Sequence, residues 1–443
     1  MRAASTYQRA LGILAFFTVA AGDFWRYLLS WWGWGAIAVL LVILGTVELV
    51  RARVVLRRLP LALVAFLVLC SASILWSAYP GGTAVGLVAT FATTLLAVFL
   101  ASCYRWDEVR GMLTASLRWV LGLSLLFELL VSVVVRHRVL PFWVDYSELE
   151  KIPAAFYWSR NLLFEGGRIQ GIVGNSNILG MLAVVALILF AVRLALRKGS
   201  PLWGWFWVAM AIMTIALTRS STALVSLIVM ALVFIYLFMV RGTRGWHRVS
   251  TYLGGLIAAA CLVTSVIVFS APLLNLLGKS SDLTYRFDIW ETVWDLAVQR
   301  PAAGWGWVSY WAPWVEPFND LVVIRGVTYL QAHNAWLDVF LQLGVIGLIA
   351  FGVLVATALA RSWLLAIDTT GIRTGVHGLV WPASALPLVL LAGLLTQSLA
   401  ESRLLIEFGW TLLVIVAIKT SWPNAARDDR LDPPKSIAEA TVG

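Results

Sequence analysis

Charge is scarce in this chain: Asp, Glu, Lys and Arg make up only 13% of its 443 residues, about half of a soluble domain's share, while 61% are hydrophobic. That balance excludes a soluble globular protein, because one core could not hide so much apolar surface. Cysteine is sparse too. Cys70, Cys103 and Cys261 fall within or at the ends of apolar runs, with neither a disulfide framework nor metal-ligand spacing. No internal repeat supports an inverted-repeat transporter. The weakly basic start at Arg2 and Arg9 leads to no small-residue cleavage site, so the first apolar run reads as a retained helix. The formal net charge is +10, but the bases form short clusters between apolar runs and make no single patch, which argues against a nucleic-acid partner.

Apolar runs near the ~20 residues needed to cross a bilayer are what the chain has in abundance. Bounded by charges, Pro or Gly, they predict helices over 8–22, 24–49, 60–77, 82–103, 111–135, 176–196, 201–217, 221–240, 250–271, 332–360, 379–400 and 404–420. With the N-terminus inside, the inner loops carry Arg51, Arg53, Arg57, Arg58, Arg105, Arg110, Arg193, Arg197, Lys198, Arg241, Arg244, Arg248, Arg361 and Arg373 against Asp107, Glu108 and Asp368. This positive-inside bias makes both termini cytoplasmic. The long segments 136–175 and 272–331 then share the outer face, where any chemistry is expected, and the polar tail after Trp422, with Pro433 and Pro434, reads as disordered. Six units follow: helices in 1–135, an outer segment 136–175, helices in 176–271, an outer loop 272–331 with an amphipathic helix, helices in 332–420, and the tail 421–443.

Most of the 24 tryptophans sit at run ends, as aromatic belts do. The cluster Trp305, Trp307, Trp311 and Trp314 lies in the outer loop and offers sugar stacking as a second reading. Residues 284–300 read as an amphipathic helix along the membrane surface, stopped by Pro301. Leu283, Phe287, Trp290, Trp294 and Ala297 share one face, and Asp288, Glu291, Asp295 and Gln299 another. Arg286 belongs to neither, and a free guanidinium fork suits a phosphate.

Of the four histidines, His137, His247, His333 and His377, only His333 opens a membrane helix on the loop-bearing side, where a neutral imidazole can take a proton from a sugar hydroxyl. Arg168 lies among Gly166, Gly167 and Gly171, which would let a bulky ligand approach the backbone, just before Asn175-Ser176-Asn177 at a helix start. Arg219 occupies a tight turn between two apolar runs, so its charge is expected to face a polar cavity. Arg403 reads as a local ion pair with Glu401. Several arginines, one histidine and no metal-spaced cluster fit a diphosphate leaving group neutralised by guanidinium.

In this order the motifs resemble the O-antigen ligase and polymerase superfamily: Arg286-x-x-x-Trp290, Pro301, Gly304-Trp305-Gly306, His333-Asn334, Gly344-x-x-Gly347, and an earlier Gly167-Arg168-Ile169-x-Gly171 before Asn175-Ser176-Asn177. Two details depart from it. Ser176 stands where the family often has proline between the asparagines, and the family's serine-then-basic order is reversed at Arg219-Ser220-Ser221. The resemblance implies an all-α integral membrane protein of about 12 transmembrane helices with a helical periplasmic subdomain, of the GT-C type of membrane glycosyltransferase, in the bacterial inner membrane. It implies transfer of glycan from an undecaprenyl-diphosphate-linked O-antigen donor to a sugar hydroxyl of lipid A–core, inverting, with no metal or other cofactor. His333 would act as base on the acceptor hydroxyl or would position it, Arg286 would act with it by binding the diphosphate and stabilising its departure, and Arg168, Arg219, Asn334, Trp290 and Arg325 would bind substrate. O-antigen polymerase, protein O-glycan transfer and a non-enzymatic lipid-linked glycan transporter remain the alternatives.

Overall fold

The structure, a computed structural model, describes residues 4–54, 59–147, 149–268, 280–324, 326–367 and 381–421. Arg325, the basic positions Arg57, Arg58 and Arg373, and the tail from Trp422 therefore lie outside the described residues. Every apolar run forms a helix, with α5 shifted five residues toward the N-terminus and α11 running seven residues past its expected end: α1 (Thr6–Ala20), α2 (Gly22–Arg51), α3 (Leu61–Ala72), α4 (Pro80–Cys103), α5 (Trp106–Leu130), α6 (Ser176–Ala195), α7 (Pro201–Thr218), α8 (Ser221–Arg241), α9 (Trp246–Val268), α11 (Ala335–Ile367), α12 (Trp381–Ser398) and α13 (Glu407–Ser421). Between α9 and α11 lies α10 (Ser280–Ala297). Among the described residues, seven helices are long and apolar enough to cross a membrane: α2, α4, α5, α6, α7, α8 and α11.

Burial separates the helices by role. Every residue of α13 from Gly409 to Thr420 is buried, the mark of a helix surrounded by other helices. It packs on α4 and α11, and α6 packs on α5, α7, α8 and α12. By contrast α2, α7 and α8 turn Val39, Leu40, Ile43, Ile212, Leu232 and Ile235 outward. So much contiguous exposed apolar surface is unstable in water and suits lipid. At one end of the bundle the Ala4 amide binds Glu108, and buried Lys419 donates to the Tyr104 carbonyl at 2.6 Å, so both described termini lie there.

The opposite end carries a cap with its own core, formed by Ile289, Val293 and Ala297 of α10 with Val308, Trp311, Phe318 and Phe340. This corrects the sequence reading of α10. Its packed stripe is Ile289-Val293-Ala297, whereas Phe287 and Trp294, expected on the same stripe as Ala297, are more than half exposed. The tryptophan cluster is corrected as well. Trp311 is fully buried in the cap and Trp305 packs there under the Arg300 guanidinium, Trp307 is buried in the bundle core against Phe66, and only Trp314 is open. A short antiparallel hairpin, β1 (Val323–Ile324) with β2 (Val327–Thr328), adds a non-helical element.

The glycine motifs explain how cap and bundle join. Gly344 (φ 61, ψ −160) breaks α11 in a region of backbone space open essentially to glycine alone, and segment 301–306 inserts at the break. The inserted segment takes up backbone groups freed on both sides of the break: Trp305 and Gly306 N–H donate to the Leu341 and Gln342 carbonyls at 3.0 and 2.9 Å, and Val345 and Ile346 N–H donate to the Pro301 and Ala302 carbonyls at 2.8 and 3.2 Å. A broken helix at membrane depth requires such repayment. A Cβ on Gly304 would come within 2.4 Å of the Gln342 backbone, and one on Gly344 within 2.3 Å of the Ala302 carbonyl. The Gln342 side chain then clamps the Val308 and Ser309 amides, fixing the strand that leads toward the site.

Candidate active site

The side chains that converge at the cap end meet on one residue that the sequence reading had paired elsewhere. Glu401 follows α12 in a short polar gap, and its carboxylate is almost wholly buried. Its Oε2 lies 2.9 Å from His333 Nδ1 and accepts from Gln331 Nε2 at 3.2 Å. Its Oε1 accepts from Asn177 Nδ2 at 3.0 Å and Arg286 Nη2 at 3.2 Å. Burial alone would push the carboxyl up, but the His333 charge and hydrogen bond, with the Arg286 and Arg403 guanidiniums, more than offset it and hold the group at about 2. Glu401 is therefore a carboxylate at any physiological pH, and whenever the imidazole is neutral the ionised acceptor keeps its proton on Nδ1. The Nε2 lone pair is left for chemistry.

Local structure positions each group. His333 has φ 51, a left-handed turn just before α11. The turn is anchored from behind by buried Asp338, whose Oδ2 accepts from the Ala332 amide at 3.1 Å and from the Ser402 hydroxyl, tying the histidine turn to the Glu401 turn. Arg168 donates from Nε to the Thr218 carbonyl at 3.2 Å and from Nη2 to Asn177 Oδ1, which also accepts from Ser220. Arg219 caps α7 in a left-handed conformation (φ 47), exposed, with its guanidinium beside Gly166. Asn177 thus bridges the Arg168 group and the Glu401 group. Buried Glu128 holds the Arg168 loop in place by accepting from the Gln170 and Gly171 amides at 2.9 and 2.7 Å and from Ser159.

Of the residues singled out in the sequence, the fold brings together Arg168, Arg286 and His333, with Arg219 at the edge of the Arg168 loop. Arg286 does not have a free fork: Glu401 takes one of its nitrogens. Asn334 Oδ1 caps α11 by accepting from the Trp336 and Leu337 amides at 3.0 and 3.3 Å. Trp290 packs partly buried in the cap core against Phe287. Two further readings are corrected. Arg403 pairs with Glu407 one turn on, at 2.8 Å, and not with Glu401. Gly167 and Gly171 make room for protein, since added Cβ atoms would strike Leu162 and Ser124; no ligand is needed to account for them. Glu401, Gln331, Asn177 and Asp338 were missed. The one available signal was an acid, Glu401, in a polar gap too short to be an ordinary loop.

Beside the dyad, an apolar groove of about 640 Å³ runs between α8, α11 and α12. It starts at Trp336 and Leu399, close in sequence to His333 and Glu401, and extends to Tyr236 and Trp363. Among the described residues no three His, Cys, Asp or Glu side chains converge as a metal-binding group, and the cations around the dyad are guanidiniums. The arrangement offers a base oriented by a buried carboxylate, several fixed positive charges, and an apolar channel alongside. No curated protein matches the chain. Residues 206–352, a stretch that holds Arg219, Arg286, His333 and the glycine-broken part of α11, match the family described as O-antigen ligase. Over that stretch the chain is similar to the O-antigen ligase family.

Proposed function

We propose that this protein is a membrane glycosyltransferase that moves a glycan from undecaprenyl diphosphate to a sugar hydroxyl of lipid A–core at the periplasmic face of the bacterial inner membrane. The observation that carries the reading is the His333–Glu401 pair set among Arg286, Arg168 and Arg219 at the end of the bundle opposite both described termini. His333 Nε2 accepts the proton of the acceptor hydroxyl as its oxygen attacks the anomeric carbon. The bond from that carbon to the phosphate oxygen breaks, and the diphosphate leaves with the electron pair. One displacement inverts the anomeric centre. Negative charge grows on the bridging phosphate oxygen as the bond lengthens, and fixed guanidiniums stabilise that charge more than they stabilise the bound donor. Arg286 links both halves, because its contact with Glu401 fixes the fork relative to the imidazole.

The groove beginning at Trp336 gives the carrier's apolar tail a place beside the dyad while its diphosphate meets the arginines. The deciding experiment is reconstitution of the purified chain with carrier-linked glycan and lipid A–core. The reading expects product with wild type and none above background with His333→Ala; full activity in that variant overturns it. In cells, loss of all polymer on core in a null strain supports ligation, whereas a single repeat left on core would assign the chain to polymerisation.

A further inference from the structure

Next to Glu401 lies a second cluster that the transfer step does not use. α2 is broken at Ser30, whose φ 69 and ψ 177 fall where glycine alone is comfortable. On an unbroken helix, residues five apart point roughly 140° from one another. The break instead brings the Arg26 guanidinium over the Trp31 ring, 4.8 Å from its centroid, and within 5.9 Å of Trp34. Trp31 and Trp34 meet edge to face at 5.7 Å. One face of Trp31 is covered by Arg26, yet the residue is 62% exposed, so the other face is open.

The cluster extends to the Glu401 turn. Arg26 pairs with Asp23, and Arg403 pairs with Glu407. A Cβ on Gly22 would lie 3.3 Å from both Glu407 Oε1 and Trp34 Nε1, so the carboxylate and the indole N–H flank the same glycine. Tyr310 is within electrostatic reach of both pairs: desolvation pushes its phenol up, Arg403 and Arg26 pull it back, and Glu407 and Glu401 raise it further. Its surface is 40% open.

We propose that Arg26, Trp31, Trp34, Tyr310, Arg403 and Glu407 form a carbohydrate subsite that holds the acceptor glycan, joined to the reaction centre through the Glu401 turn. The chemistry separates it from the diphosphate site. Here each guanidinium has its own carboxylate, so the cluster carries no net charge to attract a diphosphate. It does present an open indole face for the C–H side of a sugar ring, and paired donors and acceptors for vicinal hydroxyls. The Ser30 strain is explained as the cost of aiming that indole. The role as acceptor subsite rests on the glycosyl-transfer reading above.

The test uses the full chain in nanodiscs, with deacylated lipid A–core oligosaccharide as the binding probe, read by saturation-transfer NMR. Trp31→Ala should weaken oligosaccharide binding about tenfold, as loss of an aromatic stacking partner does, and Trp31→Phe should restore most of it. Tyr310→Phe should raise the KM for lipid A–core and leave the KM for the carrier-linked donor unchanged. Unchanged oligosaccharide binding in Trp31→Ala, or a rise in donor KM instead of acceptor KM, overturns the subsite and returns Trp31 to a headgroup anchor. The two readings fail separately. Wild type that binds the oligosaccharide at this site but transfers nothing removes the transferase and keeps the subsite, while wild-type transfer with no effect of Trp31→Ala on binding does the reverse.

Discussion

Glu401→Gln is the most informative single change, because it keeps the shape of the side chain and removes only its charge and half of its acceptor capacity. The carboxylate accepts from four donors, two on each oxygen: Asn177 and Arg286 on Oε1, His333 and Gln331 on Oε2. An amide can present an oxygen to one pair only, so its NH₂ faces the other pair donor to donor. If the oxygen faces Arg286, the NH₂ faces His333 Nδ1, and the favoured tautomer moves the imidazole proton to Nε2, where it blocks attack. If the oxygen faces His333, Arg286 loses its carboxylate. Either way at least one donor is left facing another donor and the rest lose a buried, charged acceptor, for a stability cost of about 3–5 kcal/mol. The same kind of change behind a catalytic histidine elsewhere costs about 10⁴ in kcat, so a fall of about 10³ or more is expected here, with donor KM changed far less. The assay is initial rate of glycan transfer by detergent-purified variant, with a thermal melt to confirm a folded population and Glu401→Asp as the charge-conserving control. A Glu401→Gln protein that melts like wild type and retains more than about a third of its rate would refute the tautomer argument.

The pH dependence has a definite sign. The folded carboxyl of Glu401, at about 2, lies below its unfolded value of ~4.3, so its stabilising contribution is fully present above that value and is lost as pH falls toward the folded one. The gap in melting temperature between wild type and Glu401→Gln should accordingly persist from pH 8 to about 5 and shrink as pH falls below about 4 toward 2, and a gap that closes between pH 7 and 6 would contradict the assignment. Gly344→Ala should cost about 3 kcal/mol or more, because the backbone conformation is open to glycine and the Cβ has no room, whereas Gly111→Ala, in open space on α5, should be neutral or slightly stabilising; thermal melts of the two variants check the contrast. Ser30→Gly should stabilise by about 1 kcal/mol through relief of the same backbone region, read by chemical denaturation in micelles. Arg168→Lys should lower kcat/KM for the donor by about 10- to 100-fold, since an ammonium cannot reach both the Thr218 carbonyl and Asn177 as the fork does; an unchanged value would remove Arg168 from the donor site.

The helices were legible in the residue order because they depend on a local quantity, hydropathy over a run. His333, Arg286 and Arg168 could be nominated because an ionisable group beside a membrane helix is expensive and so informative. What the residue order could not supply was pairing. Arg403 stands two residues from Glu401, yet the left-handed backbone at Glu407 and the turn before it give Arg403 to Glu407 and release Glu401 to residues 68, 115 and 224 positions away. Gly167 and Gly171, read as space for a ligand, turned out to admit Leu162 and Ser124, because an absent side chain looks the same in sequence whatever fills the gap. The aromatic run with the best claim to sugar, Trp305 to Trp314, is mostly core, and Trp31 acquires its place beside Arg26 only through a helix break at a serine that no propensity predicts. Composition and periodicity are properties of neighbouring residues and so determine which segments form and which solvent they face. Which charges meet is settled by the packing of remote helices, and only the tertiary structure contains that.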